Sequence, residues 1–513
     1  MKKKRVMLVL TWALIAVFLL PGCGGSANNG SGDAAKKDSL VYSIVGEASS
    51  MDPVKANDSE SQKYHYQIYD GLVREEIDGK LVPALAESWT VSEDNKEITF
   101  KIRPNVKFHN GDTLTAEDVV FSINRSIAAP ATKKVTSSME AAEKIDESTV
   151  KLKLKFPFPA AIGCMSSGNM MIVSKKAVEA DPEGFARNPV GTGPYMLKEW
   201  RSGDRVIFES FADYYRGEAA IKNVTYRIMS DNTTAVLSLE KGETDLRDVL
   251  QIADVPNVKA NQNLKYYEVE MPCYYLISFN NEKGIFSNKK VREAVSYAID
   301  REAVLLGALN GEGEVVEAAM VPTLDAYPKD FKANPYDPEK GKQILAEAGY
   351  PNGFTVTFKT AESATYSKPS EIIQQQLKAI GITANIEKME WAAWQADCIA
   401  GGKYEITFWA MPITTSDPDF ATYAAFHSSM RNGNGNFALC NLPEMDALLE
   451  KSRITTGTER NEVFRQICEL VKEESILIPV YNGRRRVAAH KDLLGVAASP
   501  VNKLYCYDYS WAE

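Results

Sequence analysis

The side chains that most often perform hydrolysis are rare in this chain and do not fall in a catalytic pattern. The 513 residues include four histidines, at His65, His109, His427 and His490. No two of them form H-E-x-x-H, the spacing that places two imidazoles on one helical face for zinc, and no serine lies in G-x-S-x-G. The sequence therefore predicts no enzyme activity, no catalytic residue, no bound metal and no cofactor.

The stretch GTGP at Gly191–Pro194 is similar in composition to a phosphate-binding loop. It lacks the lysine that such loops use, and Pro194 has no backbone N–H to donate to a phosphate. We therefore interpret this stretch as a turn that leads into a strand.

Cys23 follows a segment with the properties of an export signal. Residues 2–5 are basic, and the apolar run Val6–Leu20 would span about 22 Å as a helix, less than a bilayer core of about 30 Å. A charged start followed by a short apolar segment is typical of a secretory signal peptide. The run ends in Leu20-Pro21-Gly22-Cys23, which resembles the lipobox of bacterial lipoproteins. This resemblance implies that the thiol of Cys23 carries a lipid.

We therefore expect a signal peptide at residues 1–22. A flexible tether is expected at residues 23–38, because Gly, Ser and Asn are frequent there. The protein would lie outside the cytoplasm, held by its lipid on the outer face or periplasmic side of the cell membrane. An incidental cysteine after an ordinary signal peptide is the alternative.

The mature chain is acidic. Removal of residues 1–22 takes away four positive charges and changes the formal net charge from −9 to −13. Nucleic-acid binding needs a basic face, so this charge argues against a nucleic-acid partner. No later segment has about eighteen uninterrupted apolar residues. With 44% hydrophobic residues, the chain can build large cores. Its length is enough for two to three domains.

Six cysteines remain after Cys23, and their spacing does not favour a metal site. They contain no C-x-x-C pair and have no neighbouring histidine. They are Cys164, Cys273, Cys398, Cys440, Cys468 and Cys506. Six cysteines allow fifteen disulfide pairings, and buried free thiols fit the sequence at least as well as any bridge.

Short β-rich segments alternate with amphipathic helical segments along the chain. LVYSIV at Leu40–Val45 and EITFKI at Glu97–Ile102 have the β-branched and aromatic residues of strands. Thr115, with Asp118 three residues later, predicts a capped helix start, and apolar spacing predicts one long helix over Lys289–Leu306. Strands interleaved with helices indicate an α/β fold built in layers.

Five sequence blocks, in this order, carry a resemblance to a known family, and the tail Phe426–Tyr481 also fits it. The resemblance covers essentially all of Leu40–Glu513. The five blocks are ALAESW to FSINR at Ala84–Arg125, NPVGTGPYMLKEW at Asn188–Trp200, the segment Asn232–Leu246 ending in GETDL, FNNEKGIFSNKKVREAVSYAIDREAVL at Phe279–Leu305, and YDPEKGKQILAEAGYPNGF at Tyr336–Phe354. The blocks resemble the family 5 extracellular solute-binding proteins, the dipeptide-, oligopeptide- and nickel-binding components of ABC importers.

The resemblance implies a two-lobed α/β fold, the type II periplasmic-binding-protein fold, with an extra domain inserted in lobe I. Two crossing segments, near Pro272–Phe279 and near Pro479, would form the hinge. A solute in the cleft contacts both lobes only when they close, which biases the protein toward the closed state. The implied domains are lobe I at residues 39–60, 188–271 and 480–513, the inserted domain at 61–187, and lobe II at 272–479.

The segment TFWAMPITTSDPDF at Thr407–Phe420 bears on the choice of ligand. In the peptide-binding relatives an aspartate after the matching tryptophan pairs with the free amino group of the peptide, since a buried charge needs a partner. Here Trp409 matches the tryptophan, but no acid stands at the expected position, and Asp417 comes about two residues late. Asp417 either replaces that anchor or serves as a turn and helix cap.

The arginine that binds the carboxylate of a dipeptide also has no clear match in TAESATYSKPS at Thr360–Ser370, where Lys368 is the nearby cation. A solvated lysine is the simpler interpretation of Lys368. We therefore expect the pocket to favour a neutral, capped or non-peptide solute over a free dipeptide.

The ligand-binding residues implied by the resemblance lie at strand ends and on the first crossing segment. Aromatic residues suit such clefts because they bury area with few rotamers, although ordinary core packing is the alternative for each of them. The expected set is Gly46, Glu47, Tyr274, Tyr275, Trp391, Trp409, Met411, Thr414 and Asp417.

The sequence thus predicts a monomeric solute-binding lipoprotein without enzyme activity. It would capture a peptide or another small organic solute and deliver it to the permease and ATPase subunits of an ABC importer. Three alternatives remain: a nickel or metal-chelate binder, for which His427 argues, an extracellular solute sensor on the same fold, and an exported hydrolase.

Overall fold

The structure, a computed structural model, describes residues 37–56, 58–413, 417–431, 435–499 and 503–513. Its contacts divide the chain after Lys37, and Asp38–Glu513 forms one compact unit. Cys23 and the expected signal peptide and tether lie outside the described residues, apart from the last two residues of the tether.

The strands, in chain order, are β1 Ser39–Ile44, β2 Val73–Glu75, β3 Leu81–Pro83, β4 Ala86–Val91, β5 Glu97–Ile102, β6 Met139–Asp146, β7 Thr149–Leu154, β8 Tyr195–Arg201, β9 Arg205–Ser210, β10 Asn223–Ile228, β11 Leu246–Arg247, β12 Leu264–Glu270, β13 Cys273–Phe279, β14 Glu314–Val315, β15 Phe354–Ala361, β16 Ile382–Met389, β17 Ile406–Pro412, β18 Leu477–Asn482, β19 Arg484–His490, β20 Leu493–Leu494 and β21 Ser510–Trp511.

The α-helices, in chain order, are α1 Ser59–Ile68, α2 Ala116–Ala128, α3 Lys133–Thr136, α4 Ala161–Cys164, α5 Lys175–Ala180, α6 Asn232–Glu240, α7 Val255–Ala260, α8 Lys289–Ala298, α9 Arg301–Leu309, α10 Pro338–Glu347, α11 Ala364–Ala379, α12 Trp391–Trp394, α13 Asp419–Phe426, α14 Pro443–Ile454 and α15 Gly457–Glu473.

Lobe I is built on a mixed sheet of order β12-β19-β11-β1-β10-β9-β8. Its central strand β1 pairs in parallel with β10 and β11, and the alternate side chains Leu40, Tyr42 and Ile44 are fully buried. Helix α1 packs its Tyr64 against this core, 5.0 Å from the ring of Tyr226. The alternation of β1 therefore places Leu40, Tyr42 and Ile44 in the core of this lobe. Helix α1 packs in the same core, whereas the sequence analysis placed most of α1 in the inserted domain.

The inserted domain has its own sheet, of order β4-β5-β7-β6, and its own core. Helix α2 covers this sheet and begins as the sequence indicates. The Thr115 side chain accepts a hydrogen bond from the Asp118 N–H, while the Asp118 carboxylate accepts one from the Thr115 N–H at 3.0 Å. This capping box ties two of the unpaired N–H groups at the helix start.

Lobe II contains the sheet β14-β18-β13-β17-β15-β16, with β13 buried along its whole length. Helices α13, α14 and α15 contribute to the core on one face of this sheet. Helices α8, α9 and α11 contribute to the core on the other face. A central strand covered on both faces explains why the CYYLISF segment of β13 reads as continuously apolar rather than alternating.

Two short connections join the sheets of the two lobes. One runs from β12 to β13 through Met271 and Pro272, and the other runs from β18 to β19 through Gly483. The Met271 N–H donates a hydrogen bond of 3.0 Å to the Gly483 carbonyl, so the two connections lie side by side. Strand β18 stays in the lobe II sheet through Asn482, which places the second connection three residues beyond the boundary expected at residue 480.

The prediction of one long helix over Lys289–Leu306 is wrong, because this segment forms two helices, α8 and α9. Ile299 between them is extended, and the Asp300 side chain accepts a hydrogen bond from the Ala303 N–H as the cap of α9. Aspartate competes well for a free backbone N–H at a helix start, which outweighs the continuous apolar spacing.

The GTGP stretch forms a turn that leads directly into β8, as the sequence indicates. The six cysteines of the described ranges are buried, and none of them forms a disulfide there. Across those same ranges, no helix combines the length and the apolar character needed to cross a bilayer.

Gly313 should be essential to the packing beside the second connection. A Cβ at this position would lie 2.3 Å from the Asn482 carbonyl oxygen, far inside van der Waals contact, whereas a Cβ at Gly483 would come no closer than 3.5 Å to any atom. We predict that Gly313→Ala lowers the free energy of unfolding by about 1–3 kcal/mol, measured by urea denaturation. Gly483→Ala, the matched control, should change it by less than about 1 kcal/mol. Equal effects of the two substitutions would contradict this packing.

Candidate functional site

The carboxyl ends of three lobe II strands meet at the edge of the sheet nearest the connections. Strand β13 starts there at Cys273, and its antiparallel neighbour β17 ends opposite it, at Pro412. Strands β15 and β16 run parallel to β17 and therefore end at the same edge, at Ala361 and Met389. The described residues that directly follow these strands, Glu362, Glu390 and Ile413, therefore begin at this edge.

Lobe I is oriented in the same way. Strand β12 ends at the connection and β19 starts there, with Glu270 paired to Arg484. Strand β11 is antiparallel to β19 and therefore runs toward the connections. Strands β1 and β10 run parallel to β11, so the last residue of β1, Ile44, also lies at the end nearest the connections. Ligands of α/β sheets bind outside the carboxyl ends of the strands. The two carboxyl edges together define the candidate site, which we call the interlobe cleft.

Glu47 follows β1 at the lobe I edge, and its carboxylate is already occupied. It accepts hydrogen bonds from the Trp200 indole N–H, from the Ser202 hydroxyl at 3.0 Å and from the Gly203 N–H at 2.9 Å. Burial raises the pKa of Glu47, but these hydrogen bonds outweigh burial and hold the pKa below its usual value. The geometry is that of a brace for the strand end.

Gly46 lies against helix α1 at the same edge. Its carbonyl accepts a 2.9 Å hydrogen bond from the Tyr64 hydroxyl, and a Cβ there would lie 3.3 Å from Cγ of Glu60. Gly46 therefore allows α1 to approach the end of β1 closely.

Buried charges lie just behind the lobe I edge. Asp248, which follows β11, is fully buried and forms an ion pair of 2.7 Å with Lys63, and Lys63 also pairs with Glu60 at 2.9 Å. Burial raises the pKa of Asp248, but the Lys63 ammonium outweighs burial and lowers it overall. Sequence reasoning missed this network, because the partners come from α1 and from the segment after β11 with no shared motif.

The expected aromatic residues do not share one surface. Tyr274 and Met411 are cross-strand partners, and Trp409 lies opposite Leu276, all on the face that packs against α13, α14 and α15. Tyr275 points to the other face, where its ring stacks on Tyr481 at 4.8 Å. Neighbouring residues of a strand point to opposite faces, so this pair divides between two cores.

Trp391 is the expected aromatic residue that stays exposed at the edge, with 45% of its surface accessible. Its ring stacks on Tyr366 at 5.4 Å, and Tyr366 lies 6.1 Å from Tyr275. A row of aromatic rings therefore runs from Tyr275 on β13 through Tyr366 to the exposed face of Trp391. Sequence reasoning missed Tyr366, which lies inside the TAESATYSKPS segment that was searched for a cation.

Trp409 is buried against Phe437, edge to face at 4.1 Å. Among the residues that the structure describes, its indole N–H finds no hydrogen-bond partner. Thr414, five residues later, lies outside the described residues.

Asp417 is held within lobe II. Both of its carboxylate oxygens accept hydrogen bonds from the Arg460 guanidinium, at 2.7 and 2.8 Å, and one also accepts from the Asp419 N–H at 2.9 Å. The hydrogen bond from the Asp419 N–H fits the turn part of the turn-and-cap alternative, while the cap position of α13 is Pro418. Asp419 is paired in the same bidentate way with Arg453, at 2.7 and 2.9 Å. No sequence signal linked these arginines to the loop, since they come from α14 and α15.

Within the described part of the chain, no group of three His, Cys, Asp or Glu side chains is arranged to hold a metal ion. The His427 ring stacks on Tyr423 at 4.2 Å, and its Nδ1 accepts a hydrogen bond from the Ser429 N–H at 3.1 Å. The histidine that argued for nickel thus lies in a packed helix end.

Comparison with known proteins agrees with this architecture. The profile of the bacterial extracellular solute-binding proteins, family 5, matches residues 80–433. The glutathione-binding protein GsiB of Escherichia coli O1:K1 / APEC is 30% identical over 481 residues, which cover 91% of this chain and 93% of that protein.

Two solved structures share the fold. HbpA2 from Haemophilus parasuis superposes with a TM-score of 0.82 at 27% identity, covering 93% of this chain and 100% of that one. The periplasmic binding protein DppA from Helicobacter pylori, in complex with the peptide STSA, superposes with a TM-score of 0.81 at 25% identity, covering 93% and 99%.

The structure is thus that of a two-lobed periplasmic-type binding protein, as the sequence predicts. The chain belongs to the family 5 extracellular solute-binding proteins. It is a substrate-binding protein of an ABC importer, which works outside the cytoplasm with permease and ATPase subunits and is not an enzyme.

The pairing of Asp417 with Arg460 should contribute to stability in the absence of any solute. Both side chains are largely buried, so Asp417→Asn leaves the guanidinium without its charged partner, and we predict a loss of about 2 kcal/mol in the free energy of unfolding. The matched control is Asp330→Asn, which breaks an exposed pair with Arg465 and should change the free energy of unfolding far less, because water screens the pair. Urea denaturation of both variants measures the difference, and an Asp417→Asn variant no less stable than the control would contradict it.

Proposed function

We propose that this chain captures a small organic solute, peptide-like in size and polarity, without anchoring a free amino group on Asp417. The observation that carries the proposal is the bidentate pairing of Asp417 with Arg460. A carboxylate whose oxygens both accept from a guanidinium offers little to an ammonium group, because the pair is already neutral and geometrically complete.

The expected ligand-binding residues enter this proposal in two roles. The exposed face of Trp391 contacts the solute directly, since Trp391 follows β16 at the lobe II edge. Thr414, which lies outside the described residues, is a further proposed contact on the family resemblance alone. Glu47 and Asp417 instead position the loops, because their carboxylates accept hydrogen bonds from the protein.

The buried aromatic and apolar residues form the wall behind that surface. Tyr274, Trp409 and Met411 support it from one face of the lobe II sheet, and Tyr275 from the other. Gly46 lets α1 approach the end of β1 closely at the opposite edge. Aromatic walls of this kind suit a solute of mixed polarity, because they bury area with few rotamers.

The relatives support a peptide-like ligand class. GsiB is named for glutathione, and the DppA structure contains the peptide STSA. Glutathione and a short peptide share amide groups and carboxylates on a flexible chain of similar length. A solute of this class extends across the cleft and contacts both edges, which is what closure requires.

We also propose that the protein is a lipid-anchored monomer. Support for the anchor is the Leu-Pro-Gly-Cys sequence that ends at Cys23, after a short apolar segment. Support for the monomer is that one chain contributes both edges of the cleft. The Gly-, Ser- and Asn-rich tether then leaves the two lobes outside the membrane, within reach of the permease.

A thermal-shift comparison of blocked and free peptides tests the proposed mode of binding. We predict that N-acetyl-Met-Leu stabilises the protein at least as much as Met-Leu at the same concentration, with glutathione as a further probe. A bound solute at about a hundredfold excess over its Kd adds about 2.7 kcal/mol to the free energy of unfolding.

Acetylation removes the charge of the amino group and adds one small neutral group, so the matched pair tests the anchor. Stabilisation by Met-Leu that is lost on acetylation would contradict the proposal. Stabilisation by neither peptide, with a clear shift from glutathione or another solute, would keep the binding function and move the ligand away from dipeptides.

A further inference from the structure

Arg453 on α14 of lobe II contacts the inserted domain of lobe I. Its guanidinium carbon lies 4.9 Å from the ring centre of Phe156 and 5.2 Å from that of Phe158, both in the segment after β7. This contact joins the two lobes away from the connections at Met271 and Gly483.

The guanidinium is held in one orientation by its own lobe. Asp419 takes it by two parallel hydrogen bonds, and the Tyr423 ring lies 3.2 Å from the guanidinium carbon. A planar cation fixed by a bidentate carboxylate presents its faces to aromatic rings without losing its hydrogen bonds. The contacts within lobe II therefore suffice to orient the Arg453 guanidinium for contact with Phe156 and Phe158.

A second observation places the same surfaces together. Cys164 of the inserted domain shares its core with Phe158, and burial raises the pKa of the Cys164 thiol. The carboxylates of Asp417 and Asp419 raise it further, so the charges of the lobe II loop are felt inside the inserted domain. Asp417 and Asp419 therefore lie close enough to the inserted domain to act on Cys164, on the same side of lobe II as Arg453.

The chemistry of this contact favours closure. Separation of the lobes would expose to water the Arg453–Asp419 pair and the parts of the Phe156 and Phe158 rings that Arg453 contacts. Closure removes the ion pair and the two rings from water. The faces of the rings then attract the Arg453 guanidinium more strongly, because water no longer screens it. No solute atom takes part in this exchange.

We propose that Arg453, Asp419, Phe156 and Phe158 form an interlobe clamp that stabilises the closed state by the same factor for every solute. Specificity then comes from the two carboxyl edges, and the clamp adds a common gain in affinity. The clamp also gives the protein a measurable closed population before any solute binds. This inference does not rest on the identity of the solute.

The test measures the distance between the lobes in single molecules without added solute. Fluorophores are attached to cysteines introduced at the exposed positions Glu93, in the inserted domain, and Lys378, in lobe II. The six cysteines of the described ranges are buried, and Cys23 is replaced by serine in every variant, so the introduced ones react selectively. The clamp variant is Phe156→Leu with Phe158→Leu, which keeps apolar side chains but removes the aromatic faces.

Phe121→Leu is the matched control, because that ring packs against the core of lobe I. We expect the ratio of closed to open molecules to fall at least about threefold in the clamp variant and to stay unchanged in the control. Arg453→Lys should act in the same direction, since lysine cannot reproduce the bidentate, stacked geometry.

Phe158 is buried, so the single variant Phe156→Leu, at the more accessible position, covers the case in which the double variant fails to fold. The proposal is overturned if the unmodified protein has no closed population without solute. It is equally overturned if the folded clamp variants close as often as Phe121→Leu.

Discussion

The structure depends on one constraint: the chain passes between its two sheets twice, at adjacent points. The Met271 N–H and the Gly483 carbonyl join these connections by a hydrogen bond of 3.0 Å. Two short connections that lie side by side allow rotation of the lobes about one line but restrict sliding and separation. They also fix the directions of the strands that start or end there, so the carboxyl edges of both sheets face the same space.

That arrangement explains how the charges of the site are used. The acidic groups at the two edges, Glu47, Asp248 and Asp417, have protein partners and brace the strand ends and loops. A closing cleft excludes water, and an unpaired carboxylate there would oppose closure. Pairing within each lobe lets the edges approach without that penalty, while the exposed ring of Trp391 remains for contact with a solute.

Much of this could be read from the sequence, and the failures have physical reasons. The capping box at Thr115 and the GTGP turn follow from local chemistry that tertiary packing did not override. The break between α8 and α9 was missed because apolar spacing continues across it while Asp300 caps the second helix. Tyr274 and Tyr275 were grouped because they are adjacent, although a strand sends them to opposite cores. Arg453 and Arg460 left no signal, since pairing across separate helices depends on the tertiary fold.

The central claim is that a solute lies between the two carboxyl edges and holds the lobes together. A crystal structure with a solute that raises the melting temperature tests this claim most directly. The account predicts density between the segment after β1 and the segments after β16 and β17, in contact with the Trp391 ring, with Asp417 still on Arg460. Density on the outer face of one lobe, or a solute amino group bound to Asp417 with Arg460 displaced, would contradict it.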